Sequence, residues 1–204
     1  MSPDALALFA ALVALALAAM AARRELAFPA YVSAPFLALV VFVGAATLIA
    51  LGTDLSAAVV LAALLPICVL TAEIDRRSHI IPNTLVAALA TLAAAAPFGD
   101  ALSVRAIGAM LLGAIFLGVR SAFGLAGRDD ALGLGDVKLA AAIGAFLGPY
   151  YGALAVAIAG MATIAVVTVR VREGASAALS GAPFGIGLSA AAIVISAARL
   201  WGGH

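Results

Sequence analysis

Eight apolar runs, at about 5–22, 32–51, 56–74, 83–98, 104–123, 137–147, 151–169 and 183–200, occupy most of this chain and leave only short polar stretches between them. Most are close to the roughly 20 apolar residues that a helix needs to cross a bilayer. Charged residues make up 10% of the sequence, against about 25% in an ordinary soluble domain. The expected fold is therefore all-α: a polytopic transmembrane helix bundle of eight spans, with seven left open. The run at 137–147 is too short to cross alone and reads as a short or strongly tilted helix. It ends at Gly148-Pro149-Tyr150-Tyr151-Gly152, a turn with an aromatic pair suited to a membrane interface.

A chain of 204 residues filled in this way is one membrane domain, 1–204, with little room for a soluble one. The net charge of +1 gives no field that would draw the protein to nucleic acid. Cys68 is the single cysteine and lies in an apolar run, which excludes an internal disulfide and a cysteine-cluster zinc site. His79 and His204 are the two histidines, so no histidine-based metal site is expected either. The first run is preceded by Asp4 and followed by Arg23-Arg24, the reverse of the charge order in a secretory signal. It reads as a retained helix with its N-terminus outside.

Eight spans from that start place Arg23, Arg24, Arg76, Arg77, Arg120, Arg128, Lys138, Arg170 and Arg172 inside, and Arg105 and Arg199 outside. Nine against two follows the rule that cytoplasmic loops are rich in Lys and Arg. Two polar islands then share the cytoplasmic face. One is Gly133-Leu134-Gly135-Asp136-Val137-Lys138, in which two glycines precede an aspartate that opens the short helix. Glycine permits a sharp turn or a close backbone approach. The other runs from Glu73 through Asp75 to Pro82-Asn83 and joins the end of the third span to the start of the fourth.

A carboxylate near hydrocarbon is costly and calls for a function or a partner. Simple capping would explain an aspartate at a helix start, but Asp75 closes a helix, the wrong end for negative charge. Two carboxyls brought together at one face can share a proton, one activating water while the other protonates a carbonyl oxygen. At about 4 Å and an effective dielectric near 20 they repel by roughly 4 kcal/mol, enough to retain one proton between them. Helix position then favours Asp136 as the base and Asp75 as the acid, while Arg76 and Arg77 oppose that bias.

Three blocks make the chain resemble the type IV prepilin peptidases, membrane aspartic proteases of the GxGD class. They are Asp75 followed by Ile81-Pro82-Asn83; Gly133 to Leu139 running on to Gly144 and Gly148; and Ala182-Pro183-Phe184-Gly185-Ile186-Gly187-Leu188. The likeness covers about 56–200, and the first two spans match only as hydrophobic segments. It implies that Asp75 and Asp136 are the catalytic pair and that no cofactor takes part. The substrates implied are prepilin or pseudopilin precursors, cut after a short basic leader at the cytoplasmic face of the bacterial inner membrane.

Larger members carry a cytoplasmic domain between the first two spans, often with four zinc-binding cysteines and associated with methylation. Here that space is Arg23 to Ala30, so neither methyltransferase nor zinc is expected. The chain is similar to the short form that serves Flp-type (tight-adherence) pili.

Gly133, Gly135, Pro82, Asn83, Pro183, Phe184 and Gly185 are expected to shape the site. Lys138, Asp129 and Asp130 are candidates for contact with substrate or lipid head groups, against plain interface anchoring or a solvated loop. Glu73 reads as a structural polar contact, and Arg76, Arg77 and His79 as topology determinants. Two other functions compete. A proton-coupled transporter would spread its acids through the membrane depth. A presenilin-like protease would carry a Tyr-Asp and a Pro-Ala-Leu element, where this chain has Ile74-Asp75 and Ala182-Pro183-Phe184-Gly185.

Overall fold

The computed structural model describes residues 2–25, 44–45, 49, 53–98, 100–125, 127, 132–172 and 184–201. Among the described residues the chain is all-helical: α1 (Pro3–Glu25), α2 (Leu55–Ser78), α3 (Asn83–Ala94), α4 (Leu102–Leu125), α5 (Leu134–Arg172) and α6 (Phe184–Trp201). The run at 32–51 lies almost wholly outside the described residues. Among the described residues, four stretches are long and apolar enough to cross a membrane: Pro3–Ala22, Leu55–Ser78, Leu102–Leu125 and Leu134–Val169. Asn83–Ala94 and Phe184–Arg199 are apolar but shorter. The sequence reading extended the fourth run to residue 98; its helix stops four residues earlier, and Ala95 and Ala96 close it with backbone hydrogen bonds to Leu92 and Ala93.

Within 134–172, Gly148 has φ 77° and ψ 174°, outside any helix, and divides the stretch into two helical limbs. The glycine adopts this conformation without a Cβ penalty, and Pro149 then starts the second limb with a φ suited to a first helical turn. The chain folds back on itself there. A Cβ on Gly152 would lie 3.2 Å from the Gly144 Cα, whereas eight residues of straight helix would separate them by about 12 Å. The two runs expected at 137–147 and 151–169 are thus two limbs of a hairpin, 134–147 and 149–172.

Small residues set the packing, as they do where lipid supplies no hydrophobic drive to associate. On α1, Ala7, Ala11, Ala14, Ala18 and Ala22 form a buried stripe, while Leu8, Phe9, Leu12 and Met20 face outward. That helix packs on α2 and α3. Helix α4 lies along α5, and α6 packs on both α5 and α2. Gly108 of α4 and Gly144 of α5 bring the two backbones into direct contact. A Cβ on Gly108 would sit 2.2 Å from the Gly144 carbonyl oxygen, and one on Gly144 would sit 2.3 Å from the Gly108 oxygen. Leu112, 1% exposed, reaches its Cδ1 to both Gly144 and Gly152 and so fills the crook of the hairpin.

One end of the bundle is locked by Arg199. Its guanidinium donates to Asp100 Oδ2 and to the Leu147 carbonyl, each at 3.0 Å, and lies 4.3 Å from the Phe98 ring centroid and 4.2 Å from that of Tyr151. Arg105 donates to the carbonyls of Ala93 and Ala96, both at 2.6 Å. The two cations read as lying outside therefore share one end. Asp136 is eleven residues, about 16 Å of helix, from Leu147, at the other end.

Candidate active site

Asp75 is in the last turn of α2 and Asp136 in the first turn of α5. Both line one cleft of about 230 Å³, together with His79, Ile80, Ile81, Gly133, Leu134 and Gly135. Two of the three sequence blocks thus supply its walls, and the third closes it from behind. A Cβ on Gly185 would lie 2.7 Å from Asp75 Oδ2 and 3.3 Å from Ile81 Cδ1, and one on Gly135 would lie 3.0 Å from Ile81 Cβ. Ile81 is the side chain around which the blocks meet, with a glycine from each of the other two resting on it.

Each carboxyl is held differently. Asp136 Oδ2 accepts the Gly133 N–H at 3.1 Å. A Cβ at 133 would sit 3.2 Å from the same oxygen, so a larger residue there would press on the carboxyl. Asp75 is 5% exposed. Its backbone carbonyl accepts the His79 N–H at 2.9 Å, and His79 takes up a left-handed conformation, φ 53°, to end α2 and begin the segment that leads to Pro82. The first N–H groups of α6, those of Gly185 and Ile186, face the Asp75 carboxyl. Oδ2 nevertheless has no hydrogen-bond partner.

This placement corrects one premise of the sequence reading. Asp75 does close α2, but it also sits at the N-terminus of α6, where a helix dipole favours negative charge. Helix position therefore does not distinguish the two aspartates. Backbone donors meet both carboxyls: the N–H groups of Gly185 and Ile186 face that of Asp75, whose Oδ2 is left unpaired, and the Gly133 N–H meets Asp136 Oδ2.

The remaining expected site residues separate into groups. Asn83, next to Pro82 at the start of α3, accepts the Lys138 ammonium on its Oδ1 at 2.9 Å. Lys138 thereby ties the first block to the second. Phe184 packs its ring 5.4 Å from that of Phe116 and so anchors the start of α6 on α4. Glu73 lies off the cleft and pairs with Arg76 at 2.9 Å and with Arg77, in keeping with a structural contact. Asp129, Asp130 and Pro183 lie outside the described residues. Among the described residues, no group of three or more His, Cys, Asp or Glu side chains is arranged to hold a metal.

Two neighbours of the aspartates were not singled out in the sequence. Ile80 is 60% exposed and Leu134 50% exposed, which gives the cleft apolar lips. His79, read only as a topology determinant, forms part of the wall. A helix-ending left-handed position is usually glycine, so no sequence signal marked His79 for it.

The closeness of Gly185 to Asp75 leads to a prediction. Gly185→Ala requires the carboxyl to move by several tenths of an ångström or more, and misplacement of about 1 Å in a reacting group can cost about 10²-fold. Activity is expected to fall at least tenfold, with little change in thermal midpoint in detergent. Full activity in purified Gly185→Ala protein would show that the third block does not constrain the site.

The sequence profile of the type IV leader peptidase family matches residues 62–168, a stretch that includes both aspartates. No curated protein and no solved structure matches the chain.

Proposed function

Since the chain belongs to the type IV leader peptidase family, and is thus a membrane-embedded peptidase, we propose that it is an aspartic endopeptidase in which Asp75 and Asp136 are the catalytic pair. Its substrates are type IV prepilins or pseudopilins of the Flp type, whose short basic leader it removes at the cytoplasmic face of the bacterial inner membrane. The observation that carries the reading is that two carboxyls from different helices line one cleft. Asp100, by contrast, is paired with Arg199. An acid neutralised in this way is a poor step in a transport path.

In the proposed reaction Asp136, with the Gly133 N–H on its Oδ2, acts as the base. It takes a proton from water as the water oxygen bonds to the scissile carbonyl carbon. Asp75 gives its proton to the carbonyl oxygen. The tetrahedral adduct then collapses: the C–N bond breaks, the proton on Asp136 passes to the leaving amine, and Asp75 recovers its own. In this scheme the proton on Asp75 sits on Oδ2, the oxygen that is buried without a donor, since a buried unpaired oxygen is costlier when charged.

Co-expression with a Flp-type prepilin is the direct test, scored as a shift in mobility of the pilin band. The expected result is conversion to the mature form by the wild-type protein. A precursor that stays full length beside inserted protein, when a known pilin peptidase processes it, would reject the reading.

A further inference from the structure

We infer that Arg120 is a positioning residue for Asp136, acting through a single peptide group; the inference rests on the peptidase reading above. Arg120 lies near the end of α4, and its guanidinium donates to the Leu132 carbonyl. The amide of that same peptide unit is the Gly133 N–H, which donates to Asp136 Oδ2 at 3.1 Å. The 132–133 peptide plane therefore has a cation at its oxygen and a carboxyl at its hydrogen. The cation fixes the direction in which the N–H points. It also polarises the amide, because hydrogen bonds in series strengthen one another where the local dielectric is low.

The helix pair dictates this arrangement. Gly108 lies against Gly144. Twelve residues further along α4, and twelve residues back toward the start of α5, Arg120 meets Leu132. An arginine here thus does more than mark the cytoplasmic side. Among the described residues, the charged or titratable groups around Asp136 are Asp75 of α2 and His79 just past its end, both on the cleft, Arg120 from α4, and Lys138 on its own helix, engaged by Asn83.

The test compares Arg120→Leu, Arg120→Gln and Arg120→Lys with wild type, in membranes matched for inserted protein, on a prepilin that the wild type cleaves. A hydrogen bond to a charged group contributes enough that its loss is expected to lower kcat roughly tenfold in the leucine variant. KM should stay within about twofold, since Arg120 does not line the cleft. The acidic limb of the pH–rate profile should move to higher pH, because a weaker donor supports the ionised pair less well. The limb belongs to the coupled pair, not to one residue. Lysine should recover part of the rate, and glutamine, a donor without charge, should fall between lysine and leucine.

If Arg120→Leu fails to insert, the lysine–glutamine order carries the test. Unchanged kcat and an unmoved acidic limb in these variants would overturn the inference, as would a loss wholly explained by the amount of inserted protein. Failure of the wild type to cleave would instead count against the peptidase reading.

Discussion

Asp75→Asn and Asp136→Asn are each expected to lower leader cleavage by about 10²–10⁴-fold, the range for loss of a positioned general acid or base. Both variants should insert and fold. Asparagine has the size of aspartate, and at 136 its side-chain oxygen can still accept the Gly133 N–H. At 75 the amide group meets an oxygen site that has no partner, next to the Gly185 backbone, so some crowding but no lost bond is expected there. The effects should not multiply, because residues that act as one unit lose nearly everything with the first substitution. The double variant should therefore resemble the weaker single one. Cleavage assays in membranes with matched protein levels check this; near-wild-type processing by either single variant rules out the assigned pair.

The second large effect concerns the fold. Gly144→Ala places a methyl 2.3 Å from the Gly108 carbonyl oxygen and 2.7 Å from its carbon, and Gly108→Ala is as crowded against Gly144. Neither obstacle is a side chain that could rotate away, so the helices must separate. Overpacking against a yielding neighbour costs about 1–3 kcal/mol, and rigid backbone on both sides puts the expected loss at about 3–5 kcal/mol. Gly118→Ala and Gly160→Ala are the controls, since a Cβ there meets nothing within 4 Å and alanine is the better helix former by up to about 1 kcal/mol. Thermal unfolding in mild detergent should separate the two sets clearly. Intact stability in Gly144→Ala would show that the α4–α5 contact is looser than described. A separated pair would also draw Arg120 away from Leu132, so activity should fall along with stability.

The membrane character, the two polar islands and the turn at Gly148 were all legible in the sequence, because each is a local pattern: long apolar runs, charges confined to short gaps, and Gly-Pro where a helix must stop. Which groups touch was not legible, because the contacts join distant segments. Lys138 reaches Asn83 across 55 positions, and nothing local in either residue names the other. That Asp75 faces the start of α6 depends on how α6 packs on α2, and this cancels the conclusion drawn from its own helix alone. The partner of Arg120 could have been found only by aligning α4 with α5 through their glycines. Without that register the residue looks like any other arginine in a gap between apolar runs. The fourth run misled for a simpler reason: Ala94, Ala95 and Ala96 are as apolar as the helix before them, so hydropathy does not show where it ends.

The glycines around the aspartates bear on how the site could be inhibited. At positions 133, 135 and 185 the protein presents bare backbone, and a Cβ at each would come within 3.2 Å of an aspartate oxygen or of Ile81. A compound whose contacts were confined to Asp75, Asp136 and these three backbone segments would meet little that can be substituted. Escape by a single codon change usually proceeds through a side chain that alters the drug's fit and spares the enzyme's own reaction. Here any such change would first press on the carboxyl of Asp75 or Asp136 or on Ile81 beside them. Resistance would have to arise at the other side chains on the cleft, His79, Ile81 and the apolar lips Ile80 and Leu134, and a compound that left the exposed lips untouched would close the easiest route.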